Sequence, residues 1–401
     1  MGEGVVVVGG GVVGLAVAVA LREVDAGLPV TVLEREPALG RHASGRNSGV
    51  LHAGFYYSPD SLKARFTREG NSALRALLER AGKPVLPVGK VVVTRSAGEL
   101  PALRELHRRG VANGVELELL PAERLAEFEP LARTSGQFLW SPNTAVARPV
   151  DAVEALADRA RELGAEVRLG APASLRPDGT VVLEGSGDML RPRHVVNAAG
   201  TQADRLAHAM GHNDDYLAMP FMGVYLAVPA QRLPVRRLVY PVPDPVDPFL
   251  GVHLTITADG HVKLGPTAIP VVGREQYSWR SGWSYRDAVD SAKASWRLLR
   301  GGVHDLAGLA WREAGKVVPS RLVADAAELV PSTAGVAGWR RRPPGVRAQL
   351  VHLPTGRLEM DFVVRGDATS THVLNAVSPG WTASIPFGRH VAAQVLEAIP
   401  A

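Results

Sequence analysis

Gly9-Gly10-Gly11-Val12-Val13-Gly14 sets glycines at the spacing G-x-G-x-x-G, directly behind the apolar run 5–8. In that spacing Gly9 permits a tight turn and Gly11 lets backbone approach a pyrophosphate. Gly14 lets a helix pack close, so the phosphates sit at the helix N-terminus. Glu34 ends the next apolar run, twenty residues after Gly14. A carboxylate there meets ribose hydroxyls and disfavours a 2′-phosphate, so NADP is not expected. These residues specify a dinucleotide, and FAD and NAD fit them equally. Close behind lies RHASGRNSGVLHAGFYY (41–57), which holds two histidines, two arginines and a closing tyrosine pair. It is too rich in glycine for a stable helix and too polar for a core strand.

The elements that must hold these groups follow from periodicity. Residues 5–8, 12–24 and 29–33 read as strand, helix and strand, a βαβ unit over a parallel sheet. Helical spacing recurs at 61–82, 98–110, 121–128 and 151–164, across much of 287–328, and at 384–398. Strands are expected at 85–93, 165–169, 180–184 and 194–200, through much of 222–265 with proline-rich turns at 240–249, and at 346–353, 359–365 and 371–376. The fold class is therefore α/β: a Rossmann-type dinucleotide domain, a parallel sheet with helices, interrupted by a mixed or antiparallel domain that also carries helices. The division expected is 1–80, 150–215 and 345–401 for the cofactor, and 81–149 and 216–344 for the substrate.

Composition narrows the chemistry. The 401 residues contain no cysteine, which excludes disulfides, thiolate metal sites, iron–sulfur clusters and thiol nucleophiles. The net charge of +5 is spread along the chain. Its densest patch, Trp339-Arg340-Arg341-Arg342, reads as a solvated surface rather than a nucleic-acid site. Residues 5–21 are apolar, but three consecutive glycines interrupt them and Arg22 and Glu23 follow at once, so a strand-turn-helix explains them better than an anchor. The expectation is a soluble, cytoplasmic protein without a transmembrane segment, with peripheral membrane contact left open.

VVVVGGGVVGLAVAVAL, VTVLERE and HVVNAAGTQADRLA together resemble glutathione-reductase-type FAD proteins of the D-amino-acid oxidase superfamily. Within it, GRNSGVLHAGFYYSPDSLKARFTREG (45–70) resembles the L-2-hydroxyglutarate dehydrogenase/oxidase family. Matches at VGKVVV (88–93), LPAERLAEFEP (120–130), YPVPDPVDPFLGVHLT (240–255), KLGPTA (263–268), GVRAQL (345–350) and NAVSPGWTASIPFG (375–388) extend it over nearly the whole chain. The resemblance implies FAD as cofactor and hydride transfer from a substrate Cα to the flavin, with the electrons passed to O2, a quinone or a carrier.

It also implies roles for single residues. Arg347 stands where the superfamily often places a carboxylate-binding arginine, and it adjoins the flavin. His52 and His253 are the candidates to accept the hydroxyl proton; His52 is preferred near the flavin, with His253 as substrate-side partner or alternative base. Gly9, Gly11, Val13, Gly14, Glu34 and Arg35 are expected to hold the nucleotide, with Arg41, His42, Ser44, Asn47, Ser48, Gly49 and Leu51 from the loop. Ala173, Ala198, Ala199, Gly200 and Gln202 add a second wall. Ser378, Gly380, Trp381, Thr382 and Ala383 would meet the flavin ring. Tyr57, Met222, Tyr225, Tyr240 and Thr255 are the substrate-side candidates, and no metal is expected.

Three departures from the family stand out. Met222 and Val224 replace an arginine and a glutamate on a strand expected to border the active site, Thr267 replaces an asparagine, and Trp381 replaces a small residue. The substrate is therefore open between a 2-hydroxyglutarate-like acid and a less charged hydroxy acid. An amine or amino-acid oxidase is the nearest rival. A flavoprotein bound to RNA and a non-catalytic flavin scaffold are the more distant ones.

Overall fold

The computed structural model describes residues 4–243, 251–302, 308, 313 and 315–399. Residues 244–250 of the proline-rich run, with Phe249 and Leu250 before His253, lie outside the described residues. So do 303–307, 309–312 and 314 of the expected helical stretch.

Among the described residues the first sheet has six strands, in the order Val363–Gly366, Ser370–Asn375, His194–Asn197, Val5–Val8, Val30–Leu33 and Glu166–Arg168. All neighbours are parallel except Val363–Gly366. Every residue of Val5–Val8 is buried, as expected for a central strand covered on both faces. The helix Val12–Val24 is apolar nearly all round, because Ser384–Ala398 and Pro149–Glu162 pack against it while it lies on the sheet. The apolar N-terminal run is thus an internal strand and helix. No described helix is long and apolar enough to cross a membrane.

The second large sheet follows the order Arg357–Leu358, Arg340–His352, Tyr216–Pro229, His261–Gly265, His253–Ile256, Leu238–Pro241, Lys90–Val93, Gln137–Ser141 and Glu118–Pro121, with Ile269–Pro270 also paired to Tyr216–Pro229. It is antiparallel except where Leu238–Pro241 runs beside Lys90–Val93. Its strands come from two insertions within the first sheet's sequence, one between Val30–Leu33 and Glu166–Arg168 and one between His194–Asn197 and Val363–Gly366, as the interrupted layout requires.

Local differences have simple causes. The expected strand 85–93 is two strands. Val85–Leu86 joins a small sheet with Ala145–Ala147, and Gly89 at φ +67° turns the chain before Lys90–Val93 enters the large one. The expected helix at 121–128 begins as a 3-10 turn, Ala122–Arg124, and is α-helical over Leu125–Phe128, while Pro121 is taken into the edge strand Glu118–Pro121 by Gln137–Ser141. Arg340–Arg342 continue the strand Arg340–His352 at its outer end, with Arg340 and Arg341 in solvent.

Candidate functional site

A cavity of about 1300 Å³ runs between the two large sheets, with wall residues from both. At one end lies the glycine turn. Gly9 has φ +114°, and a Cβ there would stand 2.4 Å from the Ala198 carbonyl oxygen; one on Gly14 would stand 2.1 Å from the Gly9 oxygen. Glu34 accepts hydrogen bonds from the Gly10 N–H (2.9 Å) and the Glu36 N–H (3.0 Å) while still facing the cavity. Ser44 Oγ accepts from the Val12 N–H at 3.1 Å, and a Cβ on Gly11 would come within 2.9 Å of that Oγ. Backbone without side chains is thereby presented to the cavity over 9–11.

Residues 41–49 form a loop braced by its own side chains and lead into the short strand Val50–Leu51. Asn47 Oδ1 accepts from the Gly49 N–H (2.8 Å), and its Nδ2 donates to the carbonyls of Ser44 (3.0 Å) and Ala43 (3.2 Å). His42 bonds Tyr277 Oη through Nδ1 (2.8 Å) and Glu36 through Nε2 (3.0 Å), and Arg35 pairs with Glu275 at 2.5 Å. Arg41, Ser48, Ala173, Ala198, Ala199, Gly200 and Gln202 line the same end.

The other end is made of large side chains. His52, Tyr57, Tyr225, Tyr240, His253 and Arg347 all line it, joined by Ser378, Gly380, Trp381 and Thr382. Thr382 Oγ1 accepts from the His52 N–H (3.3 Å) and donates to the Val50 carbonyl (3.1 Å), tying the loop to the C-terminal segment. His253 Nδ1 lies 2.8 Å from the Gly251 carbonyl. A carbonyl can only accept, so Nδ1 carries the proton and Nε2 keeps the lone pair. Tyr240 stacks on this ring at 3.7 Å between centroids. Burial first, and then the charge of Lys90 among others, hold both imidazoles neutral: His253 is pushed down to about 3, and His52 falls well below the usual imidazole range. Burial raises the Tyr57 and Tyr225 hydroxyls, and the nearby Arg347 guanidinium opposes that rise in both.

The pattern of a family described as FAD dependent oxidoreductase matches residues 4–394. The chain belongs to the FAD-dependent oxidoreductases. It is 35% identical to an L-2-hydroxyglutarate dehydrogenase of Salmonella houtenae, over 97% of this chain and 92% of that one. It is 34% identical to one of Escherichia coli K12, with the same coverage. A mitochondrial relative of Mus musculus is 33% identical over 96% of this chain and 86% of its own. Two solved structures share the fold. An L-alpha-glycerophosphate oxidase from Mycoplasma pneumoniae with FAD bound has a TM-score of 0.76 at 24% identity, covering 99% of this chain and 95% of that one. A glycine oxidase from Geobacillus kaustophilus has 0.72 at 19%, with the same coverage.

The oxidoreductase's cofactor is FAD, and the cavity fits it. The side-chain-free turn at 9–11, the Glu34 carboxylate and the small residues 198–200 suit a pyrophosphate and ribose, with the aromatic end left for the ring and substrate. Six expected residues are not in the wall. Gly14 packs beneath Gly9. Gly49 backs onto the Ala147 carbonyl, and Ala383 is fully buried behind the wall. Leu51 points into the core while its neighbours Val50 and His52 face the cavity, as strand alternation dictates. Thr255 is buried outside the lining.

Met222 corrects an expectation. On the strand Tyr216–Pro229, Phe221, Gly223 and Tyr225 face the cavity, whereas Met222 and Val224 point to the opposite face and pack with Ile269 and Val271. The charges absent at 222 and 224 are therefore absent from the far side of the sheet, not from the cavity. Trp381 does line the wall, but its indole N–H turns away to the Pro149 carbonyl at 3.2 Å.

Three lysines went unnoticed in the sequence. Lys63 lines the cavity and is pulled down to about 8 by burial, against the opposing charge of Asp361. Lys263 is also brought to about 8 by burial and donates to the Asn47 carbonyl at 3.2 Å. Lys90 is fully buried, with no hydrogen-bond partner for Nζ among the described residues. That Nζ lies 4.1 Å from the Tyr240 ring centroid and 5.0 Å from that of Tyr56. A lone lysine inside the apolar run VGKVVV was the available signal.

Proposed function

We propose that this enzyme oxidises an L-2-hydroxy acid of the 2-hydroxyglutarate kind to the 2-oxo acid. The observation that carries this is the meeting, on one cavity wall, of the half-buried Arg347 and a neutral imidazole whose proton is fixed on the far nitrogen. Arg347 holds the substrate carboxylate through its planar fork, which no lysine reproduces. His253 takes the hydroxyl proton at Nε2, because Gly251 occupies the other nitrogen; His52, whose Nδ1 has no hydrogen-bond partner among the described residues, is the second acceptor at this end. FAD, when bound, supplies the hydride-accepting ring.

A dicarboxylate suits this wall. Lys63 joins Arg347 at the surface of the cavity with Lys90 and Lys263 buried nearby, against Asp361 and Glu359. With Met222 and Val224 facing elsewhere, the charges missing at those two positions no longer argue for a less charged substrate, and only Thr267 and Trp381 remain as departures within the wall. The sheets favour the expected FAD-binding unit at 1–80 and 150–215 and the substrate unit at 81–149 and 216–344, but the expected boundary at 345 moves past Leu358, because Arg340–His352 and Arg357–Leu358 belong to the substrate-side sheet.

The test is anaerobic flavin bleaching across L- and D-2-hydroxy acids, amino acids and N-methyl amines. Bleaching is expected with L-2-hydroxyglutarate ahead of lactate-sized acids. Bleaching by amino acids alone would replace this reading with an amine oxidase.

A further inference from the structure

We propose that the helix Tyr285–Gly301, with the loop just before it, is a docking surface for an anionic lipid bilayer. This helix rests on the large sheet through Asp287, Ser291, Ala294 and Leu298, which are buried. At 3.6 residues per turn, Tyr285, Val289, Trp296 and Leu299 fall on the opposite side and form one stripe along its length. They are left in solvent: Tyr285 is 83% exposed, Leu299 59%, and Val289 and Trp296 nearly half. The loop adds Trp283 at 56% and Trp279 at 49%. Single exposed apolar residues are ordinary, but an apolar helix stripe with two further exposed tryptophans on the loop before it is an interaction surface.

Charge selects the occupant. With the same periodicity Arg286, Lys293, Arg297 and Arg300 lie along one flank of the stripe, all in solvent, and Arg280 extends the basic character into the loop. The Arg300 and Arg297 guanidinium carbons lie 4.1 and 5.2 Å from the Trp296 ring centroid. The helix's two acids are taken inward: Asp287 caps Ser284 and pairs with Arg205, while Asp290 pairs with Arg205 and Arg274. What remains outside is aromatic and cationic. Tryptophan and tyrosine settle at headgroup depth, and each basic residue adds to the attraction to an anionic leaflet. A basic flank beside an apolar stripe is how an interfacial helix lies in the bilayer plane, with no spanning segment needed.

The experiment is co-sedimentation of the FAD-loaded protein with phosphatidylcholine vesicles, with and without an equal part of phosphatidylglycerol, followed also by tryptophan emission. Binding to the anionic vesicles only, with a blue-shifted emission and release by salt, is expected. The variant Trp283→Ser, Trp296→Ser, Leu299→Ser should lose at least about tenfold in partitioning. Lys293→Glu with Arg297→Glu and Arg300→Glu should abolish the preference for anionic lipid. Flavin content and anaerobic reduction should be unchanged in both, which verifies the fold. A wild-type protein that stays in the supernatant would overturn the proposal, as would variants that sediment like it. Sedimentation velocity showing a dimer that the serine variant dissociates would instead assign the stripe to self-association.

Discussion

At the nucleotide end of the cavity the wall is backbone and small side chains: Gly9, Gly10, Gly11, Ala173, Ala198 and Ala199. At the other end it is His52, Tyr57, Tyr225, Tyr240, His253 and Arg347. The first end recognises by shape, since a single added Cβ collides with backbone or with Ser44. The second recognises by charge and proton position, in a buried setting where burial itself moves every ionisable group. Damage at one end should therefore remove the cofactor, whereas damage at the other should leave a yellow protein with altered kinetics.

The largest effect expected is at the first end. Gly11 has φ −77°, so Gly11→Val carries no backbone strain, but its side chain would press on Ser44 Oγ and fill the phosphate cradle. The purified variant should be folded and colourless, read as the ratio of flavin to protein absorbance. If it retains stoichiometric FAD, the turn is not what holds the pyrophosphate and the contrast between the two ends fails.

At the second end the two principal residues should separate kinetically. Arg347→Ala should keep FAD yet raise KM about 10²-fold or more, because it leaves the substrate carboxylate facing a cavity without its partner. His253→Ala should lower the rate of flavin reduction by about 10²-fold or more with a smaller change in KM. If His52→Ala alone has that effect, the proton goes to the loop histidine and the Gly251 contact merely orients a neighbour.

The same contrast explains what was legible in the sequence. The nucleotide turn is contiguous, and its glycines and Glu34 state their spacing outright, so Gly9, Gly11 and Glu34 stand where the spacing put them. The loop 41–57 does border the cavity, but which of its residues face it depends on alternation, and Leu51 points away. The substrate end draws on strands far apart in sequence, and facing there is a matter of register. Phe221, Gly223 and Tyr225 turn inward while Met222 and Val224 turn outward, which no residue type announces. Lys90 was hidden for a different reason: a lysine among valines reads as a strand edge, and only the tertiary packing of Phe55, Tyr56 and Tyr240 around it makes it a caged charge.

That charge gives the smallest and most discriminating test. Burial is the main force holding His253 at about 3, and Lys90, Lys263 and Arg347 add to it by repelling a second positive charge. Lys90 is itself drawn down to about 7 by burial, so it is charged on the acid side of neutrality and fades above it. A base already deprotonated should keep flavin reduction flat from pH 8 to about 5, with no inflection at the usual imidazole value near 6.5. Lys90→Met preserves the length and apolar contacts of the side chain while removing the repulsion. The imidazoles then take their proton at a higher pH, and the acid limb of the reduction rate should move upward while the alkaline side and the FAD content stay as they were. An acid limb that does not move would leave Lys90 as packing alone, and a wild-type limb at 6.5 would mean that His253 and His52 are not the groups that titrate.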